Sequence, residues 1–407
     1  MPQRRHKRNN SAAYPLLGLG MKQMLARMVT VVAVAAGLGL GSPAVARAGE
    51  PGDMTKAEAA ALGARAVPRG RDGKGWGAEV FAALERNGIR PTRSNICSVM
   101  TIIEQESTYT ANPEVKGLGK IAEREVKARV ARLPLPAAAV LGVNWFLASK
   151  PSPEKSYLKL IRAARTERDL DLVFRNMAFF LFREFATTRL LNSPPVARRG
   201  DAINPVSTLG SMQVAIAYVI AEAERQKGKR LGLAEIWKLR DELYTRDGGV
   251  TYGARMLLGY RAGYDSRLYV FADFNAGRYA SRNAAFQHMV AELSGEPLAL
   301  DGDLLIYESG AAQPQPSATE KALRKLSLGL KDAAIREDLL QEKEYAFRST
   351  TTYSSVAAAF EKKTGQKPPH AMLPQIRLKS PKIKSRMTTE IFARAVMARY
   401  DRCMKAK

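Results

Sequence analysis

The stretch TIIEQESTYTANPEV, residues 101–115, places a polar Glu-Gln-Glu triplet at 104–106 directly after an apolar run. At about 100° per residue in a helix, Glu106 lies on the same side as Val99 and Ile103. We therefore expect its carboxyl group on the buried side of a helix that ends close by. Burial removes hydration and raises the pKa of a carboxyl group, as a general acid requires near neutral pH.

The same pattern also fits a glutamate at a helix end that only bonds to nearby backbone or to an arginine. Glu104 lies about 160° away from Glu106 around the helix axis, so the two cannot form a close carboxylate pair. We expect Glu104 to face solvent or a polar neighbour.

Composition sets the limits for the whole chain. The 407 residues are 46% hydrophobic, which is enough for a sizeable core and two or three domains. A net charge of +25 predicts an anionic partner or environment, such as nucleic acid, a membrane surface or peptidoglycan. No nucleic-acid-binding motif is recognisable, which argues against nucleic acid. The three histidines are scattered, so neither a metal site nor a cofactor is predicted.

The amino terminus has the pattern of an export signal. Basic residues precede VTVVAVAAGLGLG at 29–41, which is too short to span a membrane as a helix and typical of a signal-peptide core. We interpret 1–48 as a signal peptide and expect export to the periplasm or cell envelope, an uncleaved anchor or a buried helix being the alternatives. The leader carries seven Lys and Arg residues and no acid, so +18 of the +25 remains after cleavage. That excess also makes peripheral membrane association a candidate.

The two cysteines, Cys97 and Cys403, do not form the framework of a disulfide-rich domain. One long-range bridge and two unrelated buried thiols fit the sequence equally well.

Hydrophobic periodicity predicts a mainly α protein, with DLLIY at 303–307 as the best of a few short strand candidates. Residues 49–75 are rich in Ala, Gly and Arg and look loosely structured. A Pro/Gln/Ser-rich linker at 309–322 leads into a helix that Ser317 or Thr319 caps. Further predicted helices include 94–107, 116–132, 211–227, 266–274, 279–293, 318–346 and 388–404.

Three short motifs follow one another along the chain. An isoleucine-rich segment ends in Glu106-Ser107, followed by an aromatic residue and Asn-Pro. STLGSMQV at 207–214 contains Gly-x-Met-Gln, with Met212-Gln213. FADFNAGRYASRNAAF at 271–286 contains Asn275-Ala276-Gly277. In this order they resemble the motifs of the soluble lytic transglycosylases, lysozyme-like enzymes that cleave peptidoglycan.

The chain also departs from that family. Glu106 and Ser207 are 101 positions apart, whereas the family's first two motifs are close in sequence. A helical insertion at about 116–205 is therefore implied, which could restrict the substrate, bind an envelope protein partner or bury the site. Phe274 replaces the family's Tyr, and Asp273 adds an acid. The insertion and the TTEIFARAVMARY tail also resemble an uncharacterised family of proteobacterial envelope proteins, several of them predicted lipoproteins.

The resemblance implies a lysozyme-like transglycosylase helical core over 49–310, which contains the insertion, and a C-terminal helical region over 311–407. It implies that protonated Glu106 donates to the glycosidic oxygen between N-acetylmuramic acid and N-acetylglucosamine. The ionised Glu106 then takes the proton of the C6 hydroxyl, which gives a 1,6-anhydro product without a second acid.

Five further residues are candidates for binding the glycan strand. Gln213 and Asn275 offer amide groups to the sugar, Met212 would form a wall of the cleft, Ser107 would orient Glu106 and Tyr279 would stack on a sugar face. Each also fits a structural role at a helix end or in the core.

Two other functions fit the same motifs. The chain could bind peptidoglycan or assist envelope assembly with the lysozyme-like fold but without turnover. Ordinary hydrolysis would need a base to activate water, for which Asp273 is the candidate. In each case the basic excess would attract the chain to the carboxylates of peptidoglycan peptide stems.

Overall fold

The computed structural model describes residues 52–132, 136–185, 197, 201, 204–308, 311–377 and 387–406. The described chain is mainly helical, which confirms the predicted class, and its strands are two residues long. The predicted signal peptide lies outside the described residues. Within the described ranges, no helix combines the length and the apolar character needed to cross a bilayer.

The elements follow in chain order. The helices are α1 (Lys56–Ala66), α2 (Gly73–Arg86), α3 (Arg93–Ser107), α4 (Leu118–Arg132), α5 (Ala137–Ser149), α6 (Tyr157–Ala163), α7 (Glu167–Phe185), α8 (Ile216–Lys227), α9 (Leu233–Leu243), α10 (Arg246–Leu258), α11 (Arg267–Ala276), α12 (Ala280–Ser294), α13 (Ala318–Lys325), α14 (Asp332–Leu339), α15 (Thr351–Thr364) and α16 (Thr389–Lys405). A 3-10 helix covers Tyr345–Ser349. Strands β1 (Thr208–Leu209) and β2 (Val214–Ala215) form one two-stranded sheet, and β3 (Tyr307–Glu308) and β4 (Ala311–Ala312) form another, which is antiparallel.

The chain divides into two compact units. We call one the insertion unit, and its described residues lie within 112–209 and 215–245. We call the other the motif unit, and its described residues lie within 52–111, 210–214 and 246–406.

Helix α3 is the central helix of the motif unit. It packs against α2, α10 and α16, and every residue from Ile96 to Ile103 is buried. A helix that is buried on all sides needs apolar residues beyond a single stripe, which Cys97 and Ile102 supply. Thr92 caps its amino end by accepting a hydrogen bond from the Asn95 amide.

A disulfide joins the central helix to the last helix of the chain. Cys97 on α3 and Cys403 on α16 are bonded, with their Cα atoms 5.6 Å apart, so the sequence alternative of a bridge is the one observed. Helix α16 also packs against α11. The C-terminal helix is therefore part of the motif unit's core.

A second cluster of buried side chains in the motif unit lies around α12. Phe286 and Met289 of this helix belong to it with Leu323, Phe347 and Val356 from later elements. Helix α12 accordingly packs against α13 and α15. This cluster fixes the chain that follows the third motif.

A buried ionic cluster stabilises the insertion unit. The Asp171 carboxylate is fully buried and accepts hydrogen bonds from Arg240 at 2.7 Å and from the Asn204 amide at 2.5 Å. It also pairs with Arg175 one helical turn away. Burial raises the pKa of Asp171, and the two arginines oppose that shift. The cluster links α7 and α9 within the unit.

Three segment predictions differ from the structure. Residues 49–75 are not wholly irregular, because a capping box between Thr55 and Glu58 starts α1 within them. The helix predicted at 211–227 starts only at Ile216, since the preceding residues form β2 and a turn. The helix predicted at 318–346 is interrupted after α13, whose cap is Ser317 rather than Thr319.

Candidate functional site

Glu106 lies in the last turn of α3, and its side chain is partly buried. The chain then leaves the helix through Thr108 and Tyr109, both left-handed, with φ of 49° and 58°. Tyr109 is the aromatic residue of the first motif, and its ring packs edge-on against Trp76 with centroids 5.8 Å apart. Because both rings are buried, they fix the turn that follows Glu106.

The neighbours of Glu106 in sequence have structural partners. The buried Ser107 hydroxyl donates to the Ile103 carbonyl at 3.0 Å and accepts from the Thr110 amide at 3.4 Å, so it caps the helix end. Glu104 accepts a hydrogen bond from Arg402 at 2.7 Å. The expectation of a polar neighbour for Glu104 is thereby confirmed.

The second motif forms a tight turn against α10. Met212 is fully buried, and a Cβ atom added to Gly253 would lie 2.2 Å from its sulfur. Gln213 is partly exposed, with a left-handed φ of 49°. Its backbone amide and its side-chain amide both donate to the Gly210 carbonyl, at 3.1 and 3.3 Å. Met212 therefore packs the turn against α10, and Gln213 is a partly exposed residue of the same turn.

The third motif ends α11. Asn275 is partly exposed, and its side-chain oxygen accepts a hydrogen bond from the Thr389 hydroxyl at 2.9 Å, which leaves the amide nitrogen as the group that can donate to a ligand. Tyr279 is buried, and its hydroxyl donates to the Arg261 carbonyl at 3.2 Å. Phe274, which stands where the transglycosylase motif has Tyr, is buried as well.

Asp273 holds the turn of the third motif together. It is 1% exposed and accepts hydrogen bonds from the hydroxyls of Tyr260 and Tyr264, at 3.0 and 2.7 Å. It also accepts from the backbone amides of Tyr279 and Ser281, at 2.9 and 2.7 Å. Burial raises the pKa of Asp273 to about 6, and these donors oppose the shift. Protein donors thus bond both of its oxygens, which argues against the suggestion that Asp273 activates water.

The six candidate residues all lie in the motif unit, although the insertion separates the first two, Glu106 and Ser107, from the other four in sequence. Glu106, Gln213 and Asn275 are partly exposed and polar. Helices α3 and α11, which carry Glu106 and Asn275, both pack against α10 and α16, and α10 also seats Met212. The buried candidates Ser107, Met212 and Tyr279 support the backbone of their motifs.

The structural roles of two supporting residues, Asp273 and Gly253, could hardly be predicted from the sequence. In the sequence Asp273 is only an additional acid, because its four donors come from different positions in α12 and in the connections between α10 and α12. Gly253 lies inside a predicted helix, where a glycine is itself a signal of a close approach by another part of the chain. Trp145, a further aromatic, is 48% exposed on α5 of the insertion unit.

Comparison with known proteins gives the family of the chain. A family profile described as "Protein of unknown function (DUF1615)" matches residues 69–406, a range that includes all six candidate site residues. "Uncharacterized protein YaiW" of Escherichia coli (strain K12) is 40% identical over 338 residues, which cover 82% of this chain and 86% of that protein. No solved structure matches the chain. The chain belongs to the DUF1615 family.

Proposed function

We propose that the protein is an exported lytic transglycosylase that cleaves the bond between N-acetylmuramic acid and N-acetylglucosamine in peptidoglycan. Glu106 is the single general acid and base, and 1,6-anhydromuramic acid ends are the product. The substrate is the glycan strand of the cell wall in the periplasm or cell envelope. The lysozyme-like form of the motif unit is part of this proposal.

One backbone observation carries the proposal. In the described chain the non-glycine residues with positive φ are Thr108, Tyr109, Gln213 and Tyr279. Each lies in one of the three motifs, although the motifs are far apart in sequence. Such backbone conformations are uncommon outside glycine and collect at functional sites, where the surrounding structure holds them. Three independent segments of one compact unit share this property, which supports a common site.

The side chains at these turns match the proposed chemistry. Glu106 is partly buried at the end of a helix whose last apolar residues, Ile102 and Ile103, are fully buried. Gln213 and Asn275 are partly exposed amides, which can bond sugar hydroxyls or acetamido groups. Because Asp273 is enclosed, the described site offers Glu106 as the acid and favours the one-carboxylate mechanism over hydrolysis by a paired base.

The test is product analysis on purified cell-wall sacculi. We expect the protein without residues 1–48 to release 1,6-anhydro muropeptides, identified by mass, and Glu106→Gln to release them at a rate lower by a factor of about 10²–10⁴. That factor corresponds to about 3–5 kcal/mol of activation free energy. Glu390→Gln is the matched control, because Glu390 is an exposed glutamate on α16. Its rate should equal that of the wild type.

The products separate the competing functions. Reducing muramic acid ends in place of anhydro ends would indicate a hydrolase. Sacculus binding without any released fragment would indicate the non-catalytic binding function. Full activity of a folded Glu106→Gln protein would refute the role of Glu106 directly.

A further inference from the structure

A cavity of about 180 Å³ lies beside α3 in the motif unit, next to the turn of the first motif. Its lining comes from the end of α1, from α3, from Tyr109 and from the end of α16. Three arginines line it, Arg65, Arg399 and Arg402, against one carboxylate, that of Glu104. The charged groups of the lining therefore sum to a net excess of positive charge.

One arginine of the cavity, Arg399, is incompletely hydrogen-bonded. The Nε atom of Arg399 is buried and has no hydrogen-bond partner among the described residues. It lies 3.4 Å from Glu104 Oε1, which already accepts a hydrogen bond from Arg402 at 2.7 Å. One carboxylate thus sits between two guanidinium groups, each of which carries five N–H donors. An arginine fork is suited to the planar oxygens of a carboxylate or phosphate group.

Tyr109 adds a neutral donor to the same cavity. The residue is 4% exposed and lines the cavity together with Glu104 and the arginines. Burial, and then the charge of Glu104, raise the pKa of the Tyr109 phenol, so it stays protonated. A phenol in this state can donate a hydrogen bond to a bound oxyanion.

We propose that this cavity is a binding site for a small oxyanion, the carboxylate or phosphate group of a ligand, held by Arg399, Arg402 and Tyr109. When no ligand is bound, the Glu104 carboxylate pairs with these arginines, so it competes with the ligand for them. Arg65 contributes positive charge at the cavity wall. The site is independent of the chemistry proposed for Glu106, which is two positions further along the same helix.

Calorimetric titration at constant ionic strength tests the site. The probes are inorganic phosphate and acetylglycine, with acetylglycinamide as the neutral control that lacks the carboxylate. We expect saturable binding of at least one anion and none of the amide. Phosphate as the tighter probe indicates a phosphate-bearing ligand, and acetylglycine as the tighter probe indicates a peptide carboxylate.

Four variants locate the binding. Arg402→Gln should weaken it about tenfold or more, because a charge-assisted hydrogen bond is lost. Tyr109→Phe should weaken it severalfold, and Glu104→Gln should strengthen it, because the internal competitor loses its charge. Arg394→Gln is the matched control, since Arg394 is an exposed arginine on the same helix, paired with Glu390. It should bind like the wild type.

Two results would overturn the site. One is the absence of saturable binding of either anion. The other is binding that Arg402→Gln and Glu104→Gln leave unchanged, which would place the anion elsewhere on this basic protein. Glu104→Gln is expected to increase the affinity for the anion. It therefore tests the site even if Arg402→Gln fails to fold.

Discussion

Replacing Asp273 by asparagine should destabilise the protein by an amount that decreases as the pH rises. Burial raises the pKa of this carboxyl group from an ordinary 3.8 to about 6, since the ionised form loses hydration. The folded state therefore favours the protonated form. The stability that this group contributes is fully present below about pH 4 and is lost as the pH rises through about 6.

The size of the effect follows from the shift and from the hydrogen bonds. The rise of the Asp273 pKa from 3.8 to about 6 corresponds to ~3 kcal/mol of stability. About half of this stability, ~1.4 kcal/mol, is lost between pH 5 and pH 8. Asparagine does not titrate, but its amide NH₂ must face a backbone amide of Tyr279 or Ser281, both of which donate to Asp273. An unsatisfied buried donor costs ~1–3 kcal/mol at every pH.

Urea-induced unfolding followed by circular dichroism at pH 5 and pH 8 measures both terms. The deficit of Asp273→Asn relative to the wild type should be larger at pH 5 and smaller by ~1.4 kcal/mol at pH 8. Asp401→Asn, which removes an exposed carboxylate of the same unit, controls for the loss of one negative charge. A deficit that is equal at both pH values, or that grows with pH, would refute the argument from burial.

Three other perturbations test the packing around the site. Reducing the Cys97–Cys403 bridge, whose cysteines are 306 positions apart, should lower the free energy of unfolding in urea by ~2–4 kcal/mol. The reductant should not change the stability of the Cys97→Ala/Cys403→Ala variant. Gly253→Ala should lower the free energy of unfolding by ~1–3 kcal/mol, because the added methyl group would lie 2.2 Å from the Met212 sulfur. In a double-mutant cycle, Met212→Ala should reduce the cost of Gly253→Ala. Burial raises the pKa of Glu342 to about 7, so the wild type loses stability as this group ionises. In urea unfolding, the Glu342→Gln variant should therefore lose less stability than the wild type between pH 5 and pH 8.

The central helix shows how much of the fold the sequence predicts. The stripe of Val99 and Ile103 gives a helix at 94–107, and the structure has it at Arg93–Ser107. Partial burial of Glu106 agrees with its place on that stripe. The burial of Cys97 outside the stripe could not be predicted, because its disulfide partner lies on α16, a helix from the other end of the chain.

The turns of the site show what the sequence leaves open. A period of 3.6 residues runs through 211–227, yet Gln213 adopts a left-handed conformation and the helix begins at Ile216. Tertiary packing overrides the local helix propensity here, because the Met212 side chain packs against Gly253 of α10. Asp273 is a similar case, since its role depends on hydroxyl and amide donors that only the folded chain brings together.

The interval of 101 positions between Glu106 and Ser207 is compatible with one site because most of the intervening chain belongs to the insertion unit, which is compact by itself. The entropy of closing a loop grows only with the logarithm of its length, by ~0.6 kcal/mol for each doubling. A long insertion is therefore tolerated if it does not draw on the core of its host. The buried Asp171–Arg240 pair, fixed at 2.7 Å, lies wholly within the insertion unit. Within the motif unit, α3 and α11 each pack against both α10 and α16. The spacing that separates this chain from the transglycosylase pattern in sequence is therefore no objection to a shared arrangement of motifs.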